Sequence, residues 1–331
     1  MLTSPDFNSK KIIIIYTCDG EKISFSNDNI IVKNEFGETR LQYTCYKIFA
    51  IYIIGATSIT SGIIEKSKKF GFSIVLMNVN FKVYEILNCK LEGNTLLRSK
   101  QYNTDRSLEI AKSIISNKII NQRYFLSMIR NKSCDLKRTI ELLDGYVSNV
   151  YGTENNYELM GIEGMASKIY FKQMFSEAKW SGRQPRVKRD IINLLLDIGY
   201  TMLFNFIDAI LNIYGFDIYK GNLHQEFFKR KSLVCDIIEA FRSIIDYKIR
   251  KMYNLKQIDE NDFKNENGRY RLEWKSSSKY IKCFAEEIVN HKMDIFNYIQ
   301  SYYRWFIKEK RVDEFPFAKI NGGDKIDTIE L

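Results

Sequence analysis

The spacing of apolar residues changes once along the chain, near residue 90. Before that point it has the short, β-branched character of strands. Lys11 to Tyr16 is dominated by isoleucine, Asp19-Gly20 is a favoured hairpin turn, and Lys22 to Phe25 alternates as the partner strand. Ile30 to Lys33 meets a turn at Phe36-Gly37 and returns through Arg40 to Tyr43, and Tyr46 to Ile54 is a further apolar strand. Ile63 to Lys69 reads as one short helix, begun near Thr60-Ser61 and stopped by Gly71; Ser73 to Met77 and Lys82 to Leu87 complete the strands. The expectation is a small sheet with a single helix.

Beyond Leu91 the period becomes helical. Leu108, Ala111, Ile115, Ile119 and Ile120 share a segment that Thr104-Asp105 can cap. Further helices are expected over roughly 122–131, 135–150, 158–179, 187–213, 230–254 and 276–311. The chain is thus read as α+β: a small N-terminal β-sheet domain (1–90), a linker (91–104), a larger all-α domain (105–312) and a tail (313–331). Pro316 and Gly322-Gly323 suit that tail to a flexible end or a docking segment. The longest apolar stretch, Leu194 to Phe216, contains Asp197 and Asp208, which suits a buried core helix better than a bilayer span. Met1 to Lys10 has no basic segment followed by an apolar core, so a cytoplasmic protein with no membrane partner is expected.

Composition sharpens this. A formal charge of +10 and high aromatic content favour a nucleic-acid partner, because neutralised phosphates release counterions. The six cysteines are scattered without a C-x-x-C pair, which fits reduced thiols rather than disulfides or a zinc knuckle.

The chain has two histidines. His291 lies in the charged stretch Glu286 to Met293 and is read as a solvated face residue. His224 ends Gly221-Asn222-Leu223-His224, a loop ahead of a helix. That helix, Ser232 to Arg242, carries Asp236 and Glu239 at i and i+3, on one face. Acids among Leu233, Ile237 and Ile238 need compensation, by a metal or, for Asp236, by Arg230 or Arg242. Glu163 is flanked by Gly161 and Gly164 in mid-helix, where glycine costs about 1 kcal/mol relative to alanine. Either something approaches the backbone there or two helices pack tightly. Two carboxylates and an imidazole suit Mg²⁺ or Mn²⁺, with Mn²⁺ favoured by the imidazole and zinc disfavoured by the lack of clustered Cys and His.

These segments resemble the CRISPR-associated integrase family, the catalytic subunit of spacer acquisition. Gly161-x-Glu163-Gly164 with Ala166, Lys168, Tyr170 and Phe171 resembles its first acidic motif. Asn193-Leu194-Leu195 with Gly199-Tyr200 and Leu203 resembles its central helix, Gly215-Phe216 leading to His224 its histidine loop, and Ser232-Leu233, Asp236 and Glu239-x-Phe241-Arg242 its last acidic helix. The resemblance implies that Glu163, His224 and Glu239 hold a metal, with Asp236 as a neighbouring acid. Lys168 stands where an arginine is usual, keeping the charge without the bidentate fork. Tyr219 to Leu223 departs from the usual proline and aromatic before the histidine.

The resemblance further implies a homodimer formed through the β domains. Two such dimers would be joined by a small ferredoxin-like subunit into a heterohexamer on double-stranded DNA. The implied activity is insertion of short duplexes into a repeat array by attack of a 3′-hydroxyl. The alternatives are metal-dependent cleavage of branched or single-stranded DNA, or a DNA-binding scaffold without chemistry. Candidate phosphate contacts are Lys168, Arg183, Arg186, Lys188, Arg189, Lys229, Arg230, Lys231 and Arg242, a group that could also be an ordinary solvated face.

Overall fold

A computed structural model describes residues 3–17, 20–78, 82–87, 93–178 and 180–320, and the backbone of Ile329 and Glu330. Helix α1 (Ser4–Asn8) precedes β1 (Lys11–Tyr16), followed by a meander of β2 (Lys22–Ser26), β3 (Asn29–Lys33) and β4 (Thr39–Thr44). Next come β5 (Ile48–Ile54), α2 (Ser61–Phe70), β6 (Ser73–Met77) and β7 (Val83–Leu87). The helical part comprises α3 (Thr95–Tyr102), α4 (Ser107–Ser127), α5 (Cys134–Val150), α6 (Asn156–Met174), α7 (Ile191–Tyr214), α8 (Ser232–Glu239) and α9 (Arg242–Asn254). A hairpin of β8 (Phe263–Glu266) and β9 (Arg269–Leu272), helices α10 (Trp274–Asn290) and α11 (Lys292–Ile307), and a short β10 (Ile329–Glu330) close the chain.

The expected β1–β2 hairpin does not form. β1 pairs in parallel with β5 and β10, in a sheet ordered β10-β1-β5-β6-β7, while β2 pairs with β3 in a separate three-stranded meander. The cause is burial on both faces. Ile12, Ile14 and Tyr16 face the helical core, whereas Ile13 and Ile15 face Ile30, Val32 and Ile63 of the meander and α2. A continuous isoleucine run suits a central parallel strand, and a hairpin would leave one of those faces wet. The N-terminal region accordingly holds two sheets and two helices rather than one of each.

The sheet is joined firmly to the helices. Phe7 stacks on Phe296 with ring centroids 4.2 Å apart, and Lys292 Nζ donates to the carbonyls of Asn8 and Lys10 at 2.6 and 3.1 Å. Helix α7 is apolar enough to cross a membrane, but 83% of its most apolar window is buried inside the fold, so it is the core helix expected.

Three further features bear on the site. The stretch expected as a linker contains α3, whose Gln101 is buried and clamps the chain near residue 220. The hairpin β8–β9, formed at Asn267-Gly268 with both residues at positive φ, was not anticipated; Tyr270 N–H donates to the carbonyl of Lys188 at 2.8 Å. The described part of the tail docks on α4, where Ala318 exchanges hydrogen bonds with Asn117. The rest, residues 321–328 and 331, lies outside the described residues, as do Cys18 and Cys89; Cys45, Cys134, Cys235 and Cys283 are free thiols.

Candidate active site

Helices α4, α6 and α8 meet beside an open groove of about 1660 Å³. Glu163, on α6, and Glu239, at the end of α8, reach toward each other there. Between them stands Lys118 of α4, its Nζ 2.5 Å from Glu163 Oε1 and 2.6 Å from Glu239 Oε2. Glu163 Oε1 also accepts from Ser167 Oγ at 2.8 Å, and Arg242 Nε donates to Glu239 Oε1 at 3.0 Å.

Burial by itself would push the Glu239 carboxyl up. The charges of Arg242 and Lys118, aided by the nearby His224, win and bring its pKa down to about 2. Lys118 follows the same logic: burial favours the neutral amine, but Glu239 and Glu163 hold its pKa above the ordinary lysine value.

Asp236 sits one turn before Glu239 and has no exposed surface. It pairs with neither Arg230 nor Arg242. Instead Oδ2 accepts from the N–H groups of Asn222 and Leu223 at 2.6 and 3.0 Å, and Oδ1 accepts from the N–H of His224 at 3.0 Å and lies 2.8 Å from His224 Nδ1. One carboxylate therefore folds the loop and holds the imidazole through Nδ1. Gly221 makes this closure feasible, since a Cβ there would lie 2.8 Å from Asp236 Oδ2 and 2.9 Å from Ser232 Cβ. Both Asp236 oxygens are thus taken up by the loop and His224.

The two glycines around Glu163 have a different basis. A Cβ on Gly161 or Gly164 would meet nothing within 4 Å, so helix packing does not require them. Both are exposed, and Gly164 lines the groove, which leaves the backbone open to approach from outside.

Seven of the nine basic candidates line the groove: Lys168, Arg183, Arg186, Lys188, Lys229, Lys231 and Arg242. Arg189 and Arg230 are exposed but outside its lining, and Lys179 of the same basic stretch lies outside the described residues. Arg183 is held by Asp197 at 2.6 Å, and Lys231 by the buried Asp208 at 2.6 Å. The guanidinium groups of Arg183 and Arg242 lie 5.4 and 4.7 Å from the Tyr200 ring, an electrostatically favourable placement. The Tyr200 hydroxyl, with that of Tyr170, donates to the buried Asp246. Burial raises the Asp246 pKa to about 6 against the pull of those hydroxyls and of Arg242. Arg186, Lys188 and Lys229 all adopt positive φ without being glycine, a strained conformation that clusters at functional surfaces.

His291 corrects the sequence reading. It is 4% exposed, at the junction of α10 and α11, with Nδ1 3.1 Å from Asp294 and Nε2 3.7 Å from Glu287. Lys118 was missed by sequence reasoning. Its signal was a charge on the Ala111, Ile115, Gln122 stripe of α4, where the helical period calls for an apolar residue.

Among the described residues no three His, Cys, Asp or Glu side chains stand close enough to hold an ion without rearrangement. The donor chemistry nevertheless fits a divalent cation. Two carboxylates from different helices converge on one cationic nitrogen, and the imidazole of His224, held through Nδ1 by Asp236, is near enough for its charge to act on Glu239.

Comparison with known proteins identifies the family. The family model described as CRISPR associated protein Cas1 matches residues 14–286. A CRISPR-associated endonuclease Cas1 from Thermodesulfovibrio yellowstonii is 30% identical over 276 residues, covering 79% of this chain and 87% of its own length. One from Archaeoglobus fulgidus is 27% identical, covering 75% of this chain and 80% of its own. Among solved structures, a Cas1 protein from Thermotoga maritima superposes with a TM-score of 0.75 at 20% identity, over 90% of this chain and 97% of that one. A casposase bound to integration product gives 0.75 at 19% identity, over 94% and 96%. A chain of a Cas6-RT-Cas1–Cas2 complex gives 0.77 at 21% identity, over 95% of this chain and 36% of that one. Glu163 and Glu239 line the groove, whereas His224 and Asp236 are not among its lining residues. With its helical domain following an N-terminal β region, the chain belongs to the Cas1 family of CRISPR-associated proteins.

Proposed function

We propose that this protein is a metal-dependent DNA integrase that inserts short duplexes into a CRISPR repeat array. The observation that carries the reading is the convergence of Glu163 and Glu239 on one cation position, beside an Asp236-oriented His224 and at the edge of a basic groove. The likeness to a casposase bound to integration product and to a Cas1–Cas2 assembly supports a strand-joining role.

In this reading Glu163, Glu239 and His224 Nε2 would hold Mg²⁺ or Mn²⁺, which when bound would supply Lewis-acid polarisation of a phosphate and acidify a hydroxyl. The chain's own residues bind and orient. Arg242 and Lys168 meet phosphate charge beside the acids, and Arg183, Arg186, Lys188, Lys229 and Lys231 track the backbone along the groove. Asp236 keeps the imidazole in one tautomer. The 3′-oxygen of the incoming strand forms a P–O bond as the bond to the repeat strand's 3′-oxygen breaks. The hydroxyl proton leaves and one is returned to the departing oxygen. One phosphodiester is exchanged for another, so no external energy source is needed.

The functional unit in this proposal is a cytoplasmic homodimer, joined through the β domains and bridged by a small ferredoxin-like subunit into a heterohexamer around double-stranded DNA. A second reading has water as the nucleophile, giving an endonuclease, and the curated relatives' own names favour it. A labelled duplex offered to supercoiled repeat-bearing plasmid, with the partner subunit present, separates the two. Integration transfers label only from duplexes ending in 3′-hydroxyl. Plasmid nicking that continues equally with 3′-dideoxy ends, without joined label, would select the endonuclease.

A further inference from the structure

We propose that Lys118 is a tethered counter-ion, occupying the cation position between Glu163 and Glu239 until a divalent ion displaces it into the groove. The proposal deepens the metal-site reading above and rests on it. Among the described residues Lys118 is the one group in ion-pair contact with both acids: its ammonium meets an oxygen of each, and its side chain is only 11% exposed. Without it, two carboxylates carried by separately packed helices would face each other with Arg242 paired to Glu239 and not bridging to Glu163. Like charges so close repel, and a half-buried acid pair that lacks a cation is costly.

Charge and space both require the exchange. Glu163 and Glu239 contribute two negative charges, balanced by Lys118 and Arg242. An entering divalent ion would use the same carboxylate oxygens, at roughly 2.0–2.2 Å, and would bring two more positive charges against an ammonium already in contact with them. The lysine stem is flexible and its head is a point charge, so it can leave without moving α4. The direction is set as well, since Lys118 lines the groove along with Gln122 and Lys168. There a displaced ammonium meets phosphate. Metal binding and DNA binding are thereby coupled: DNA supplies the anion that Lys118 gives up, so each tightens the other.

Three consequences can be read on the full-length protein. Mn²⁺ binding, followed by the free-ion paramagnetic resonance signal, should be at least about tenfold tighter in Lys118→Met than in wild type. Duplex DNA should tighten Mn²⁺ binding in wild type and do so much less in Lys118→Met. In wild type, which needs no folded variant, Lys118 should be protected from an amine-reactive label without metal and become several-fold more reactive with Mn²⁺, as read by peptide mass. Glu163→Gln is the control for specific uptake and should weaken Mn²⁺ binding. If Lys118→Met binds Mn²⁺ no more tightly than wild type, or Lys118 labelling ignores Mn²⁺, the exchange is wrong while the metal site stands. If Glu163→Gln takes up Mn²⁺ as well as wild type does, the metal site itself is wrong and the exchange falls with it.

Discussion

The protein's two histidines occupy similar company and do opposite things. His224 and His291 each sit beside acids in the helical region, but His291 has an acid at both ring nitrogens and is closed within the junction of α10 and α11. His224 has one nitrogen fixed by Asp236 and a side chain that is 23% exposed. An imidazole satisfied at both ends is a structural pin. One held at a single end is oriented for something that arrives.

That contrast makes the largest expected effect a double dissociation. His224→Ala should lower strand transfer by about a thousandfold or more while costing less than about 1 kcal/mol of stability, since its side chain is partly exposed. His291→Ala should cost about 2–3 kcal/mol by removing the imidazole from the buried Glu287 and the partly buried Asp294, with transfer per folded molecule unchanged. Urea unfolding and single-turnover transfer on both variants check this. A transfer defect of equal size in both would erase the distinction.

Asp236→Ala should combine the two behaviours. It removes the acceptor for three backbone N–H groups and for the ring, so about 3–5 kcal/mol of stability and most transfer should be lost together. If the variant is as stable as wild type, the loop does not depend on that carboxylate.

The two regions should also titrate with stability in separate pH windows. Asp246, buried in the groove wall, is raised to about 6 from 3.8 by burial. The folded protein thus binds a proton that the unfolded chain has already lost, and stability falls as pH rises from about 4 to about 6, by up to roughly 3 kcal/mol. Asp246→Asn should flatten that part of the profile. At the other histidine, burial opposes the charged ring, but Asp294 and Glu287 outweigh it and raise its pKa above 6.5. Its contribution is complete below pH about 6.5 and is lost as pH rises through the folded value. His291→Gln should remove this second, smaller decline while leaving the first.

The smallest effect is expected from Arg189→Ala and Arg230→Ala, outside the groove lining. They should weaken DNA binding less than Arg183→Ala or Lys229→Ala, and should leave the salt dependence nearly unchanged. A larger effect from the first pair would relocate the DNA path.

Much of this could be read from the chain. The change of period near residue 90 separates strands from helices, and α5, the start of α6 and the end of α7 fall within about two residues of expectation because local periodicity and capping specify them, whereas α6 stops at Met174 and α7 starts only at Ile191. Glu163, Glu239 and His224 stood out by glycine context, helix spacing and rarity. What escaped depends on partners distant in sequence. The isoleucines of β1 name no partner, because a strand buried on both faces loses its alternation. Asn267-Gly268 was a legible hairpin signal that was passed over. Lys118 and His291 are charged residues whose roles exist only where helices from elsewhere close around them; no local pattern states which acids those helices bring.

The central claim is that Glu163, Glu239 and His224 act together as one cation-dependent strand-transfer centre. Its most direct measurement is joining of a labelled 3′-hydroxyl duplex to repeat-bearing plasmid, under Mn²⁺ and under chelator, by wild type and by Glu239→Gln. The expected result is joined product only for wild type with Mn²⁺, with Glu239→Gln folded, DNA-bound and inactive. Joining by Glu239→Gln at the wild-type rate, or by wild type in chelator, would contradict the account.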